Sequence, residues 1–127
     1  MFVVAGESLI DLVSRPAREG GSITLDAHPG GSPYNCAIAL SRLGNETGYL
    51  CPLSRDTFGD YLLEPLLEAG VTPLLRERVA APTSLAVVTL NARGEATYGF
   101  YRGADRAFTR AGLLAAGNAA GLSTAAL

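Results

Sequence analysis

The sequence predicts an α/β fold: a parallel sheet covered by helices, with a smaller second sheet beside it. Two amphipathic helical patterns fall between short apolar runs, the alternation that builds a helix-covered parallel sheet. Each pattern closes on a glycine, Gly44 and Gly70, where a chain commonly leaves a helix. Further on, two alternating runs flank the turn Asn91-Ala92-Arg93-Gly94 with no helix between them, which reads as a β-hairpin.

Phe2-Val3-Val4-Ala5 is an apolar run ended by Gly6, and Leu9-Ile10-Asp11-Leu12-Val13 resumes it, so together they read as one buried first strand with a break. Residues 15 to 21 read as loop. Ser22 to Ala27 alternates polar and apolar, as a half-exposed strand does, and Pro29-Gly30-Gly31 is expected to stop it, leaving His28 in a polar loop. From Asn35, the residues Cys36, Ile38, Ala39, Leu40 and Leu43 give an apolar face at helical spacing, a helix of about nine residues. Thr47 to Leu53 reads as a second buried strand. Phe58, Leu62, Leu63, Leu66 and Leu67 mark a second helix, with Pro65 bending it or marking its last turn. Val71 to Leu75 is a third strand. The hairpin strands Leu85 to Leu90 and Ala96 to Tyr101, with Ser22 to Ala27, alternate throughout and suit a small sheet exposed on one face. The tail from Ala111 is rich in Ala, Gly and Leu and suits a loose helix.

Composition narrows the function. The chain of 127 residues suits one domain that buries roughly two thirds of the surface its unfolded form exposes. A net charge of −2 with scattered acids offers no basic surface to nucleic acid or to an anionic membrane. The apolar start has no positive n-region and is interrupted by Glu7 and Asp11, so neither a signal peptide nor a membrane span is expected, and the expected location is the cytoplasm. Cys36 and Cys51 match neither a metal-ligand spacing nor a disulfide framework, and both are expected to be buried thiols. The ten basic residues are all arginine, and His28 is the one histidine. Without lysine there is no Walker-A loop and no Schiff base; one histidine makes no His-rich zinc site, and no G-x-S-x-G elbow supports a hydrolase.

Five segments, G-E-S-L-I-D-L from Gly6, G-G-S-P-Y-N-C-A-I-A-L-S-R-L-G from Gly30, S-R-D-T-F-G-D-Y-L from Ser54, L-L-E-A-G-V from Leu66 and F-Y-R-G-A-D-R-A from Phe100, occur in this order. Together they resemble the ribokinase-like, PfkB-type carbohydrate kinases, fructokinases and ketodeoxygluconate kinases in particular, over residues 1 to about 110. The resemblance implies a Rossmann-type α/β body with a small β lid over a sugar, and transfer of a phosphoryl group from ATP with Mg2+ to a hydroxymethyl group. On this division the body takes about residues 1–14 and 30–76, the lid strands about 22–28 and 84–102, and the tail 109–127.

The candidate substrate-binding residues are Asp11, Gly30, Gly31, Asn35, Phe100 and Arg102. Glycines at 30 and 31 let a bulky ligand approach the backbone, the following helix directs free N–H groups toward it, and Asn35 offers both a donor and an acceptor to a hydroxyl. The alternative is a helix cap behind a glycine turn. Asp11 interrupts an apolar run, where a carboxylate needs a partner; a pair of ligand hydroxyls would serve, or Asp11 stands at a frayed strand end. Tyr98, Phe100 and Arg102 share one strand face by the period of two, with Tyr101 on the other. A ring beside a guanidinium suits a sugar, although such aromatics also pack between sheets or across a dimer. The resemblance assigns Asn35 and Asp11 to sugar hydroxyls, and Phe100 with Arg102 to the contact that ketodeoxygluconate kinases make with an acid sugar. Glu7 reads as solvated and receives no role.

In the family a D-T-x-G-A-G-D segment supplies the general base and an anion hole. Asp56-Thr57-Phe58-Gly59-Asp60 lacks the central Ala-Gly and reads as a helix start; Gly103-Ala104-Asp105 opens no helix and reads as the exit from the lid. No catalytic residue is therefore expected in these 127 residues. The expectation is the N-terminal, sugar-binding part of an ATP-dependent kinase, truncated before the C-terminal ATP-binding half and inactive by itself. The alternative is a non-catalytic sugar-binding or dimerisation module. A homodimer through the exposed lid sheet is the expected assembly.

Overall fold

The computed structural model describes residues 1–15, 21–91, 93–119 and 121. The expected loop at 16–20, turn residue 92 and tail residues 120 and 122–127 lie outside them. In chain order the elements are β1 (Phe2–Ala5), β2 (Leu9–Ser14), β3 (Leu25–Gly30), α1 (Ser32–Arg42), β4 (Thr47–Leu50), α2 (Thr57–Glu68), β5 (Thr72–Pro73), β6 (Leu85–Leu90), β7 (Ala96–Tyr101), a 3-10 turn (Ala104–Arg106) and α3 (Arg110–Ala119). They form a three-stranded sheet in the order β1-β4-β5, all parallel, and a four-stranded sheet in the order β3-β2-β6-β7.

The expected single broken first strand is two strands in two different sheets. β1 pairs in parallel with β4, whereas β2 pairs antiparallel with β3 and parallel with β6. The second sheet thus has four strands rather than the three expected, and one of its two central strands comes from residues 9–14, which the sequence reading placed with the first sheet. The physical reason is the Gly6-Glu7-Ser8 link, where Gly6 has a φ of 148° and leaves the space into which the Pro33 ring packs. The expected strand at 22–27 runs instead from Leu25 through Pro29 to Gly30, so His28 sits within a strand. Pro29 is tolerated because β3 is an edge strand, where a missing N–H breaks no interior ladder.

Helix α1 starts at Ser32 with Pro33 in its first turn, and Gly44 leaves it at φ 86°. Starting three residues before the expected point fixes a different buried face. Tyr34, Ala37 and Ile38 point inward, while Cys36, Ala39 and Leu43 are exposed, so Cys36 is not the buried thiol expected and Cys51 is. Helix α2 has Pro65 in its last turn and buries Leu62 and Leu66, as its spacing predicts. The second and third expected strands shorten to Thr47–Leu50 and Thr72–Pro73. The hairpin is as expected: Gly94 turns at φ 77°, and the Asn91 side-chain oxygen accepts from the N–H groups of Arg93 and Glu95.

The core lies between the sheets and helices, with Ile10, Tyr34, Ala37, Ile38, Tyr49, Cys51, Leu53, Leu62, Leu66 and Val71 at its centre. Tyr34 and Tyr49 meet edge to face at 6.0 Å. The Tyr34 hydroxyl donates to the Leu62 carbonyl at 2.9 Å and the Ser41 hydroxyl to the Ala69 carbonyl at 2.6 Å, which ties α1 to α2. The Tyr49 hydroxyl donates to the carbonyls of Glu7 at 2.9 Å and Gly6 at 3.2 Å, the two peptides that carry the chain from one sheet to the other. Burial pushes the Tyr49 phenol far up and the Tyr34 phenol up to about 12, so both remain donors.

The three links between the sheets and the exit from β7 all leave from one end of the four-stranded sheet, since Leu9 pairs with Gly30, Ile10 with Leu85 and Leu85 with Tyr101. The Tyr49 phenol is therefore at the root of that sheet. Tyr49→Phe should lower unfolding free energy by about 1–3 kcal/mol, the cost of leaving buried carbonyls without a donor. Urea denaturation with an unchanged m-value would measure it; a change within experimental error would show that the link holds without the phenol.

Candidate functional site

Directly paired residues share a face of a sheet. One face of the four-stranded sheet therefore carries His28, Asp11, Ala86 and Phe100 in a single row across β3, β2, β6 and β7. The adjacent row is Asp26, Val13, Val88 and Tyr98. The opposite face carries Ile10, Leu12, Ala27 and Leu85, which enter or pad the core. The row with Asp11 consequently looks away from the core. Ala86, the smallest side chain in it, stands between Asp11 and Phe100 and is 2% exposed.

Asp11 is half-buried, and among the described residues no hydrogen-bond donor or ion-pair partner meets its carboxylate. Gly30 makes room for it: a Cβ there would lie 2.1 Å from Asp11 Oδ2. Gly31, at φ 114°, turns the chain into α1, and a Cβ there would lie 2.6 Å from the Glu7 carbonyl oxygen. Both glycines thus admit the protein's own atoms, a carboxylate at one and a backbone carbonyl at the other. Glu7 takes part through that carbonyl. Asn35 is exposed on α1, one turn beyond Gly31, and its N–H donates to the Gly31 carbonyl at 2.9 Å. No side chain caps the N-terminus of this helix.

On the β7 side, Tyr98 and Phe100 stack at 6.4 Å with 12° between their planes, and the Arg102 guanidinium lies 5.7 Å from the centre of the Phe100 ring. The structure therefore brings Asp11, Gly30, Phe100 and Arg102 to one sheet face. The structure does not bring the Asn35 side chain to that face: its N–H makes only the first helical bond of α1, to the Gly31 carbonyl.

The residue that the sequence reading passed over is Asp105. Its Oδ2 accepts from Arg102 Nη1 at 2.6 Å, while Oδ1 accepts from the Ser84 hydroxyl and from the Gly103 N–H at 3.3 Å. Burial pushes the carboxyl up, but the bonds from Ser84, Arg102 and Gly103 outweigh it and hold it below the ordinary carboxylate range. The signal available was Arg102 three residues before an acid, a spacing that a 3-10 turn closes. A second carboxylate ties this region to α2. Asp56 caps that helix by accepting from the Gly59 N–H at 2.8 Å, and it also accepts from the Thr83 N–H and hydroxyl at 2.8 and 2.6 Å. The segment from Ser54 is thus a helix start, as its sequence indicated.

A half-buried carboxylate, paired glycines before a helix and an aromatic-guanidinium stack, all at the edge of an α/β unit, agree with one class of protein. The model of the pfkB family of carbohydrate kinases matches residues 1–126, and the chain belongs to that family. Probable fructokinase-4 of Arabidopsis thaliana is 41% identical over 108 residues, which take in 80% of this chain and 32% of that protein. The crystal structure of fructokinase from Xylella fastidiosa matches with a TM-score of 0.81 at 36% identity, over 87% of this chain and 37% of that one; the same enzyme with bound ATP matches at 0.80. Ribokinase from Giardia lamblia, 24% identical with a TM-score of 0.73, shares the fold. The chain spans about a third of the length of the curated relatives it matches. No helix among the described residues is long and apolar enough to cross a membrane.

Asp56 and Asp105 are both held below the ordinary carboxylate value of 3.8, burial opposing and hydrogen bonds prevailing in each. Their contribution to stability is therefore complete above that value and is lost as pH falls through the lower values of the folded state. The urea midpoint should fall steeply below about pH 4. Asp105→Asn should lower the midpoint at neutral pH and flatten that acid limb; an unaltered limb would remove Asp105 from the group that titrates.

Proposed function

We propose that this chain supplies the sugar-binding side of an ATP-dependent carbohydrate kinase, acting on the hydroxymethyl group of a fructose-like or ketodeoxygluconate-like sugar. The single observation that carries the proposal is the Asp11 carboxylate, half-buried without a partner in one row with Phe100 across Ala86. A carboxylate in that state gains most from a ligand that presents two hydroxyl donors. The Phe100 ring offers an apolar surface to the C–H face of a sugar, Arg102 offers N–H groups to its oxygens, and Asn35 takes a hydroxyl as donor or acceptor. Gly30 and Gly31 keep Asp11 and the start of α1 close together. In these terms the three-stranded sheet with α1 and α2 is the body, and the four-stranded sheet is the lid.

The donor set of this chain does not fit a triphosphate with Mg2+. The exposed face bears a carboxylate and aromatic rings, the Arg102 guanidinium is already bonded to Asp105, and the sequence has no lysine. Among the described residues, no group of three or more His, Cys, Asp or Glu side chains is arranged to hold a metal ion. What these residues do is bind and orient the sugar; the D-T-x-G-A-G-D segment that the family uses as base and anion hole does not occur among them. Our reading gives the protein a cytoplasmic location and a homodimer formed through the lid, where Leu90, Tyr98, Phe100 and Tyr101 are all more than half exposed.

Titration of the chain with D-fructose, followed by amide NMR, should move the resonances of Asp11, Asn35 and Phe100 together. Asp11→Asn should weaken that binding by at least about tenfold, the loss of one charge-assisted hydrogen bond of about 1.5–3 kcal/mol. The chain alone should release no ADP from ATP with either sugar, and addition of the C-terminal half of a close relative should restore release. Equal binding by the variant, or turnover by the chain alone, would overturn the reading.

A further inference from the structure

Arg102 was read from the sequence as a cation free to meet a substrate; in the structure it is already spoken for. Its Nη1 lies 2.6 Å from Asp105 Oδ2, and the Asp105 side chain is 4% exposed while that of Arg102 is 38% exposed. We propose that Asp105 sets which sugars the lid face accepts: by holding the Arg102 guanidinium in an ion pair before any ligand arrives, it makes that end of the site select neutral polyhydroxyl sugars over sugar acids. The proposal rests on the sugar-binding reading above.

The argument begins with the asymmetry of the pair. Asp105 is fixed on its other side by Ser84 and Gly103 and cannot follow Arg102 outward. If Arg102 swung away to pair with a ligand carboxylate, a buried carboxylate would lose its only cationic partner among the described residues. Such a loss is far costlier than a new half-exposed pair is favourable. If Arg102 stayed, a ligand carboxylate would meet a guanidinium already paired with Asp105, on a face that also bears the Asp11 carboxylate opposite Phe100. Asp11, Arg102 and Asp105 together carry a formal charge of −1, which disfavours an anion. Neutral hydroxyls face no such conflict. Arg102 has five N–H donors, and those not used by Asp105 remain for sugar oxygens above the Phe100 ring. The pairing thus converts a point charge into an oriented set of donors.

The test compares D-fructose with 2-keto-3-deoxygluconate by NMR titration of the full chain. The wild-type chain should bind fructose at least about tenfold more tightly than the acid, a difference set by one unpaired charge. Asp105→Asn removes one negative charge and leaves Arg102 unpaired. It should raise affinity for the acid about tenfold while weakening that for fructose, and adding Arg102→Gln should cancel the gain. A merely structural role for Asp105 would weaken both sugars together. Wild-type binding of the acid as tight as that of fructose would overturn the proposal whether or not the variant folds. Binding of fructose with an unchanged ratio in Asp105→Asn would overturn it alone; failure of the wild type to bind either sugar would overturn the sugar-binding reading and this proposal with it.

Discussion

One proton, shared by the Tyr49 hydroxyl between the carbonyls of Gly6 and Glu7, holds the place where the chain passes from one sheet to the other. The arrangement of the face that bears Asp11 follows from that crossing. With Glu7 fixed, its carbonyl meets Gly31, which sets where β3 ends and α1 begins. With the start of β2 fixed, Asp11 comes to lie over Gly30 instead of over a side chain. Tyr49 is in turn braced by Tyr34, whose own hydroxyl reaches α2. Two phenols thus join both sheets and both helices, each using its ring for packing and its oxygen for a backbone group that would otherwise be unpaired in the core.

The alternation of strands and helices was legible in the sequence because it depends on local periodicity and on glycines that end helices. The separation of Phe2–Ala5 from Leu9–Ser14 into different sheets was not. Two apolar runs three residues apart look continuous, and the partners that divide them, β4 for one and β3 with β6 for the other, are far along the chain. The phase of α1 was missed for a related reason. Tyr34 reads as a polar aromatic beside a proline, yet its ring is 1% exposed, and once it is taken as inward the faces of Cys36 and Leu43 turn outward.

The candidate residues Asp11, Phe100 and Arg102 were legible by motif and by the period of two, but the relation among them was not. It needed the register that sets Asp11 and Phe100 on either side of Ala86. Asp105 escaped because its meaning lies in Ser84, just before β6, and in the 3-10 turn that folds it back beneath Arg102. Asp56 does for the approach to β6 what Asp105 does for the exit from β7, each carboxylate gathering donors from two segments. Both sets of bonds lie at the same end of the hairpin, where Leu85 pairs with Tyr101.

The four-stranded sheet is fastened at one end only, its links to the rest of the chain leaving from the row of Ile10, Leu85 and Tyr101, next to the Leu9–Gly30 pair. Mechanically it is a cantilever. Its strands of six residues reach about 20 Å beyond that row, so a tilt of about 10° at the root carries the tip by roughly 3 Å. Asp11 and Phe100, one or two residues from the root, would travel only a fraction of that distance, while the turn at Asn91 would travel nearly all of it. Stiffness at the root is set by the Pro33 ring filling the space beside Gly6 and by the Glu7 carbonyl against Gly31. Leverage therefore divides the plate: any tilt at the root would move the carboxylate and the ring little and the far turn most.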